Sequence, residues 1–210
     1  TMDAASMTAY SAADFRQRAL REQAPHSLEL GDHLFNPSFE DLIARDRLRD
    51  AAVLVPVVDR GEEATVLLTK RTEKLRSHSG QIAFPGGRID PEDATPEHAA
   101  LREAEEEIGL DATFIEVIGR MPDYLTGSGY RIAPVLATVR PGFLLTINED
   151  EVDDAFEVPL RFLMDPANHR RESRMWQERE RFFYTMPHGE RYIWGVTAGI
   201  LRTLYERLYA

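Results

Sequence analysis

A chain of 210 residues with 43% hydrophobic and 29% charged residues has ordinary globular composition, long enough for one substantial core, which argues against wholesale disorder. The 36 Asp and Glu against 25 Lys and Arg leave a net charge of −11, which argues against a general nucleic-acid surface. Small phosphorylated ligands stay open, because a cation and a few arginines can make one pocket locally positive. With no cysteine there is no disulfide framework, thiolate zinc site or cysteine nucleophile, and the longest apolar run, residues 51–58, is too short to span a bilayer.

The opening residues show no apolar signal region, so the protein is expected to be soluble and cytoplasmic, without a membrane partner. Thr1 ahead of Met2 is read as a cloning remnant and left out of the fold reading. Residues 11–22 predict a helix capped by Ser11, with Phe15 and Leu20 apolar, and residues 33–37 read as a loop. Ser38 is expected to cap a short helix over 38–46 whose Phe39, Leu42 and Ile43 form a stripe. Residues 51–58 predict a buried strand, joined by Asp59-Arg60-Gly61 to a second strand over 64–69. The division expected is an N-terminal helical extension, residues 1–50, packed on a domain of residues 51–210.

The segment LLTKRTEKLRSHSGQIAFPGG follows, with Arg71, Lys74 and Arg76 leaving the end of a strand. Arginines so placed would hold phosphate by charge-assisted, partly bidentate bonds, the reading favoured for Arg76; the competing reading, as open for Arg71, is that they solvate a loop or pair with the acidic helix. His78, a lone loop histidine, is left out of the chemistry. Residues 81–84 predict a short strand delivering Pro85-Gly86-Gly87, which suits neither a regular helix nor a central strand and lets backbone approach a ligand closely. A helix then runs from an N-cap at Thr95 with Pro96 in its first turn to a stop at Gly109. On its wheel Leu101, Ala104 and Ile108 fall on one side, and Glu103, Glu106 and Glu107 on the other. Carboxylates at such spacing repel by roughly a few tenths of a kcal/mol per pair. Alone they read as a solvated acidic face. Next to a glycine loop they call for a cation, and oxygen-only donors suit Mg²⁺ or Mn²⁺ rather than zinc.

Gly87, Asp93 and Arg102-Glu103-Ala104-Glu105-Glu106-Glu107-Ile108-Gly109-Leu110 closely resemble the Nudix box. The helical end matches at every fixed position, while the loop is one residue longer before Arg102 and carries Asp93 where glutamate is usual. Leu67-Leu68-Thr69, Arg71, Arg76, Gly80 and Phe84-Pro85-Gly86-Gly87 resemble the extra motif of the coenzyme A pyrophosphatase branch of the Nudix hydrolases. The resemblance implies an α/β/α sandwich on a mixed sheet, a Gly86 carbonyl completing the metal shell of Glu103, Glu106 and Glu107, and Arg102 orienting these carboxylates. It also implies coenzyme A or an acyl-CoA as substrate, and a possible homodimer.

Further along, residues 113–121 are strand-like, and Tyr124 and Tyr130, beside Gly127 and Gly129, suit a wall over the ligand or a surface hairpin packed on the sheet. Residues 131–139 read as a strand that Pro134 confines to an edge or a bulge. Glu151, in an acidic turn, is a candidate carboxylate reaching the metal site, with a solvated loop as the competing reading. Residues 152–159 predict a strand and 159–165 a short helix. Residues 175–186 and 191–194 would form a hairpin about Pro187-His188-Gly189, leading into a helix over 196–208 with Ile200, Leu201, Leu204 and Leu208 on its apolar face.

The expected reaction is metal-assisted hydrolysis of a diphosphate, with Glu106 or Glu151 as base, Arg102 supporting, and Arg71, Arg76, Gly87 and Tyr124 contacting substrate. Two alternatives stay open. The same chemistry would serve ADP-ribose, NADH or dinucleoside polyphosphates, and a nucleotide-sensing domain without turnover is possible, although retention of all three glutamates and Arg102 speaks against it.

Overall fold

The computed structural model describes residues 8–210 except 23, 26, 77 and 79, so the reading of Thr1 and Met2 lies outside the described residues. Its order is α1 (Ala12–Arg21), β1 (Leu30–Gly31), β2 (Arg49–Asp59), β3 (Ala64–Arg71), β4 (Ile82–Ala83), β5 (Gly86–Arg88) and α2 (Pro96–Ile108). Then follow β6 (Ile115–Arg120), β7 (Tyr124–Leu125), β8 (Tyr130–Val139), β9 (Val152–Pro159), α3 (Leu160–Leu163), β10 (Arg170–Trp176), β11 (Arg179–Thr185) and α4 (Gly195–Leu208).

The centre of the mixed sheet is a parallel pair, β2 and β8, in register from Arg49 opposite Tyr130 to Val58 opposite Val139. β3 pairs antiparallel with β2 only at Val57–Asp59 and then splays away to pair β9 along its other edge. The chain from β4 to β5 crosses the gap so opened: β4 pairs β3, β5 pairs β2, and the Leu54 N–H donates to the Pro85 carbonyl at 2.8 Å. The glycine segment is therefore strand rather than free loop, because its hydrogen-bond partners lie on a distant stretch of chain. A Cβ on Gly86 would come within 2.4 Å of the Ala52 carbonyl oxygen, so only glycine fits this strand.

Period-two alternation sends β2 and β8 side chains to two cores. Ala52, Leu54, Val58, Ala133 and Val135 pack with Ala99, Ala100, Ala104 and Ile108 of α2. Val55, Val57 and Leu136 pack on the other side with Phe15 of α1 and Ile200, Leu201 and Leu204 of α4. This is the expected α/β/α sandwich. Truncating a residue such as Leu54, fully buried, to alanine would cost about 2–5 kcal/mol.

Local signals hold where the element is self-contained: Ser11 and Thr95 cap their helices, and Gly109 ends α2 in the left-handed region at φ 66°. Several expectations are corrected. Ala19 takes the core position expected of Leu20, which is 52% exposed. The 38–46 helix is absent; Phe39 and Leu42 N–H groups bond three residues back, too short a run to propagate a helix, while Phe39, Leu42 and Ile43 pack on Leu125. Pro134 lies on a central strand, tolerated because it faces the break between β6 and β7, with its carbonyl accepting from the Met121 N–H at 3.0 Å. The 170–185 hairpin turns at Gln177 and Glu178, both left-handed at φ 49° and 63°, without the usual glycine or asparagine. The expected turn at Pro187-His188-Gly189 survives as a smaller bridge of His188 with Arg191.

Candidate active site

β5 and α2 build the site together. The Gly86 N–H donates to Glu107 Oε1 at 3.3 Å, and a Cβ on Gly87 would stand 2.6 Å from Glu103 Oε1. The glycine pair thus allows strand backbone and helix carboxylates to touch. Glu107 is buried, and burial, reinforced by the Glu103 and Glu151 charges, pushes its carboxyl up to about 8 although Gly86 and Arg71 oppose. Burial also pushes Glu103 up, with Arg102 opposing. Glu151 is near enough for its charge to act on both, and its Oε2 is buried with no hydrogen-bond partner. The fold thus sets Glu103, Glu107 and the Gly86 backbone side by side, with the Glu151 charge acting on both carboxylates.

Arg102 organises the exposed side of the cluster. Its Nε and Nη2 grip Asp93 at 2.9 and 2.8 Å, and its Nη1 donates to Glu103 at 3.2 Å and Glu106 at 3.1 Å. Nη2 also donates to the Arg88 carbonyl at 3.3 Å, tying the helix to β5. The Arg102 guanidinium holds the Asp93 carboxyl at about 2, assisted by the Asp90 N–H. Asp93, unassigned by the resemblance, is thus the anchor of the arginine.

A cleft of about 340 Å³ opens on Gly86 and Gly87, lined also by Arg71, Arg88, Tyr130 and Trp194. Arg71 turns its Nε inward, buried without a partner. Two expected substrate contacts are not brought here. Tyr124 is a core residue, 1% exposed, whose hydroxyl donates to Asp32 at 2.8 Å, because α4 packs against it at Gly199. Arg76 lies exposed in the loop after β3, outside the residues lining the cleft. Sequence reasoning missed Arg88 and Trp194, and it missed the buried carboxylate of Asp32. That carboxylate accepts from Tyr124, from the Gly127 N–H at 2.8 Å and from Arg181 at 3.1 Å.

Among the described residues no three carboxylates already converge as a finished cation cage, since Arg102 draws Glu103 and Glu106 toward itself. The donor chemistry still fits a hard divalent ion. It is oxygen throughout, one carboxylate oxygen is buried and unpartnered, and the buried Glu107 gains most from a positive neighbour.

The NUDIX domain family profile matches residues 48–184. The chain belongs to the Nudix family. It is 36% identical over 160 residues, covering 76% of this chain and 80% of the relative, to a protein named uncharacterized Nudix hydrolase NudL in Yersinia pestis, and equally to its namesake in Yersinia pseudotuberculosis. The solved structure of DR0079 from Deinococcus radiodurans aligns with a TM-score of 0.50 at 12% identity, over 75% of this chain and 83% of that one. As a Nudix hydrolase the protein hydrolyses diphosphate bonds of small nucleotide-diphosphate substrates with divalent metal ions. Among the described residues no helix is long and apolar enough to cross a membrane.

Proposed function

We propose that this Nudix hydrolase cleaves the diphosphate of coenzyme A or an acyl-CoA to 3′,5′-ADP and 4′-phosphopantetheine or its acyl form, with Mg²⁺ or Mn²⁺. The observation that carries the reading is the placement of Arg71 and Arg88 in one cleft with Gly86 and Gly87, directly against the carboxylates of α2. Two guanidinium groups there suit a substrate with a diphosphate and a further phosphate. Divalent ions held by Glu103, Glu106, Glu107 and the Gly86 carbonyl would neutralise diphosphate charge and acidify water. Glu151, with one oxygen free of partners, would take the proton of the attacking water as a phosphorus–oxygen bond of the diphosphate breaks. Glu106 is the second candidate, with one oxygen engaged by Arg102. A homodimer belongs to the same reading on family resemblance, and light scattering tests it.

The deciding experiment is chromatographic product analysis with Mg²⁺ or Mn²⁺ and, separately, CoA, dephospho-CoA, ADP-ribose and NADH. The expected result is preference for CoA with release of 3′,5′-ADP, and a lowered preference over dephospho-CoA in Arg71→Ala. Preference for ADP-ribose or NADH overturns the substrate reading and keeps the catalytic helix, while inactivity on every diphosphate favours a sensing domain. Glu151→Gln and Glu106→Gln, assayed separately, assign the base; near-full turnover in both overturns both candidates.

A further inference from the structure

The catalytic cleft does not end at Trp194. His78, Gln81, Ser128, Trp194 and Val196 line both it and a second cleft of about 290 Å³, which runs beneath the β10–β11 hairpin. The second cleft is walled by Met175, Trp176, Phe182, Phe183, Trp194 and Val196. The charged groups that reach it are already engaged. Asp32 pairs with Arg181 at 3.1 Å, and Arg174 lies over the rings of Phe183 and Trp194, at 5.3 and 4.9 Å from their centroids. Beyond the shared wall, where His78, Gln81 and Ser128 are polar, what is left to a ligand is aromatic and thioether surface.

That surface is costly to leave in water. Met175 is 70% and Trp176 43% exposed at the rim, on a strand whose residues are all exposed, with the Trp176 ring leaning on Phe39 at 5.8 Å between centroids. A methionine among aromatic edges suits a flexible apolar chain better than a base, whose polar edge needs fixed donors and acceptors.

We infer that the cleft under the β10–β11 hairpin is the binding site for the acyl chain of a thioester substrate, so that this enzyme selects acyl-CoA over free CoA. The inference rests on the CoA reading above and extends it. The diphosphate lies at Gly86 and Gly87, the arm passes the shared wall at Gln81, Ser128 and Trp194, and the chain ends between Met175 and Phe183. The hairpin, tied to the sheet through Arg181 and Asp32, then acts as a specificity wall rather than as part of the catalytic apparatus.

The test is kcat/KM for CoA, hexanoyl-CoA and dodecanoyl-CoA in the full chain and in the Met175→Glu and Phe183→Glu variants. Burial of the chain predicts a rise of at least about tenfold from CoA to dodecanoyl-CoA. Met175→Glu, at an exposed position that folding tolerates, should remove most of that rise and leave CoA turnover unchanged within about twofold. Phe183→Glu should do the same more completely if its melting temperature is retained; if it is not, the Met175→Glu result decides alone. A flat series with good CoA turnover overturns the inference and leaves the CoA reading standing, as does a Met175→Glu variant that loses CoA and acyl-CoA turnover equally. An enzyme that cleaves ADP-ribose and spares CoA overturns both.

Discussion

The α2 face and the β10–β11 hairpin both border the cleft, and they are built in opposite ways. Around α2 the polar groups converge on one arginine: Arg102 joins Asp93, Glu103, Glu106 and the Arg88 carbonyl, and the helix reaches β5 again where Glu107 accepts from the Gly86 N–H. The hairpin has an exposed first strand and a turn of two left-handed non-glycine residues, and its ties run to scattered loop residues of the N-terminal segment, among them Arg181 to Asp32, Arg179 to Asp41 and the Phe182 N–H to Asn36. The proposed chemistry, which must be held within fractions of an ångström, falls on the first, and the inferred acyl contact on the second.

The comparison is broken most severely at Glu107. Glu107→Gln keeps the shape and removes the carboxylate proposed to hold a divalent ion, and kcat should fall about a thousandfold, the equivalent of several kcal/mol of transition-state charge stabilisation, with melting temperature little changed. Gly87→Ala comes next. Its methyl would occupy the place of Glu103 Oε1, and a carboxylate displaced by about 1 Å predicts a loss near a hundredfold in kcat, measured with saturating metal.

Asp93→Asn loosens Arg102 without touching a proposed metal ligand, and should lower kcat about tenfold. It carries a pH signature as well. Asp93 titrates at about 2 when folded against 3.8 as a free side chain, so its contribution to stability is complete above about 3.8 and lost as pH falls through about 2. Wild type should therefore resist acid unfolding to lower pH than Asp93→Asn, the two curves converging below about 2, as followed by circular dichroism. The smallest effect belongs to the hairpin turn. Glu178→Gly relieves a left-handed non-glycine residue, and should add about 1 kcal/mol by denaturant titration while diphosphate hydrolysis stays constant.

Legibility in the sequence follows the same divide. Thr95, Pro96, Gly109 and the three glutamates are local signals, and they gave the helix and its acidic face from residues a few positions apart. The strand character of Gly86–Arg88 was hidden because its partner, Ala51–Val53, is more than thirty residues upstream in the chain. The sequence leaves the role of Asp93 unassigned, because its grip on Arg102 depends on a loop conformation that spacing does not encode. Tyr124 looked like a wall because aromatic residues near glycines often are; only the fold places Asp32 and Gly199 against it. The hairpin turn was missed for want of glycine or asparagine at Gln177 and Glu178.

Asp32 has one more consequence. It accepts from Tyr124, Gly127 and Arg181, and it stands ahead of residue 48, where the match to the family begins. A fragment trimmed to the matched region would keep every residue of the catalytic box and discard the joint that seats the hairpin beside the cleft. The borders that define membership of the family are thus narrower than the borders of the piece of chain that shapes the two clefts.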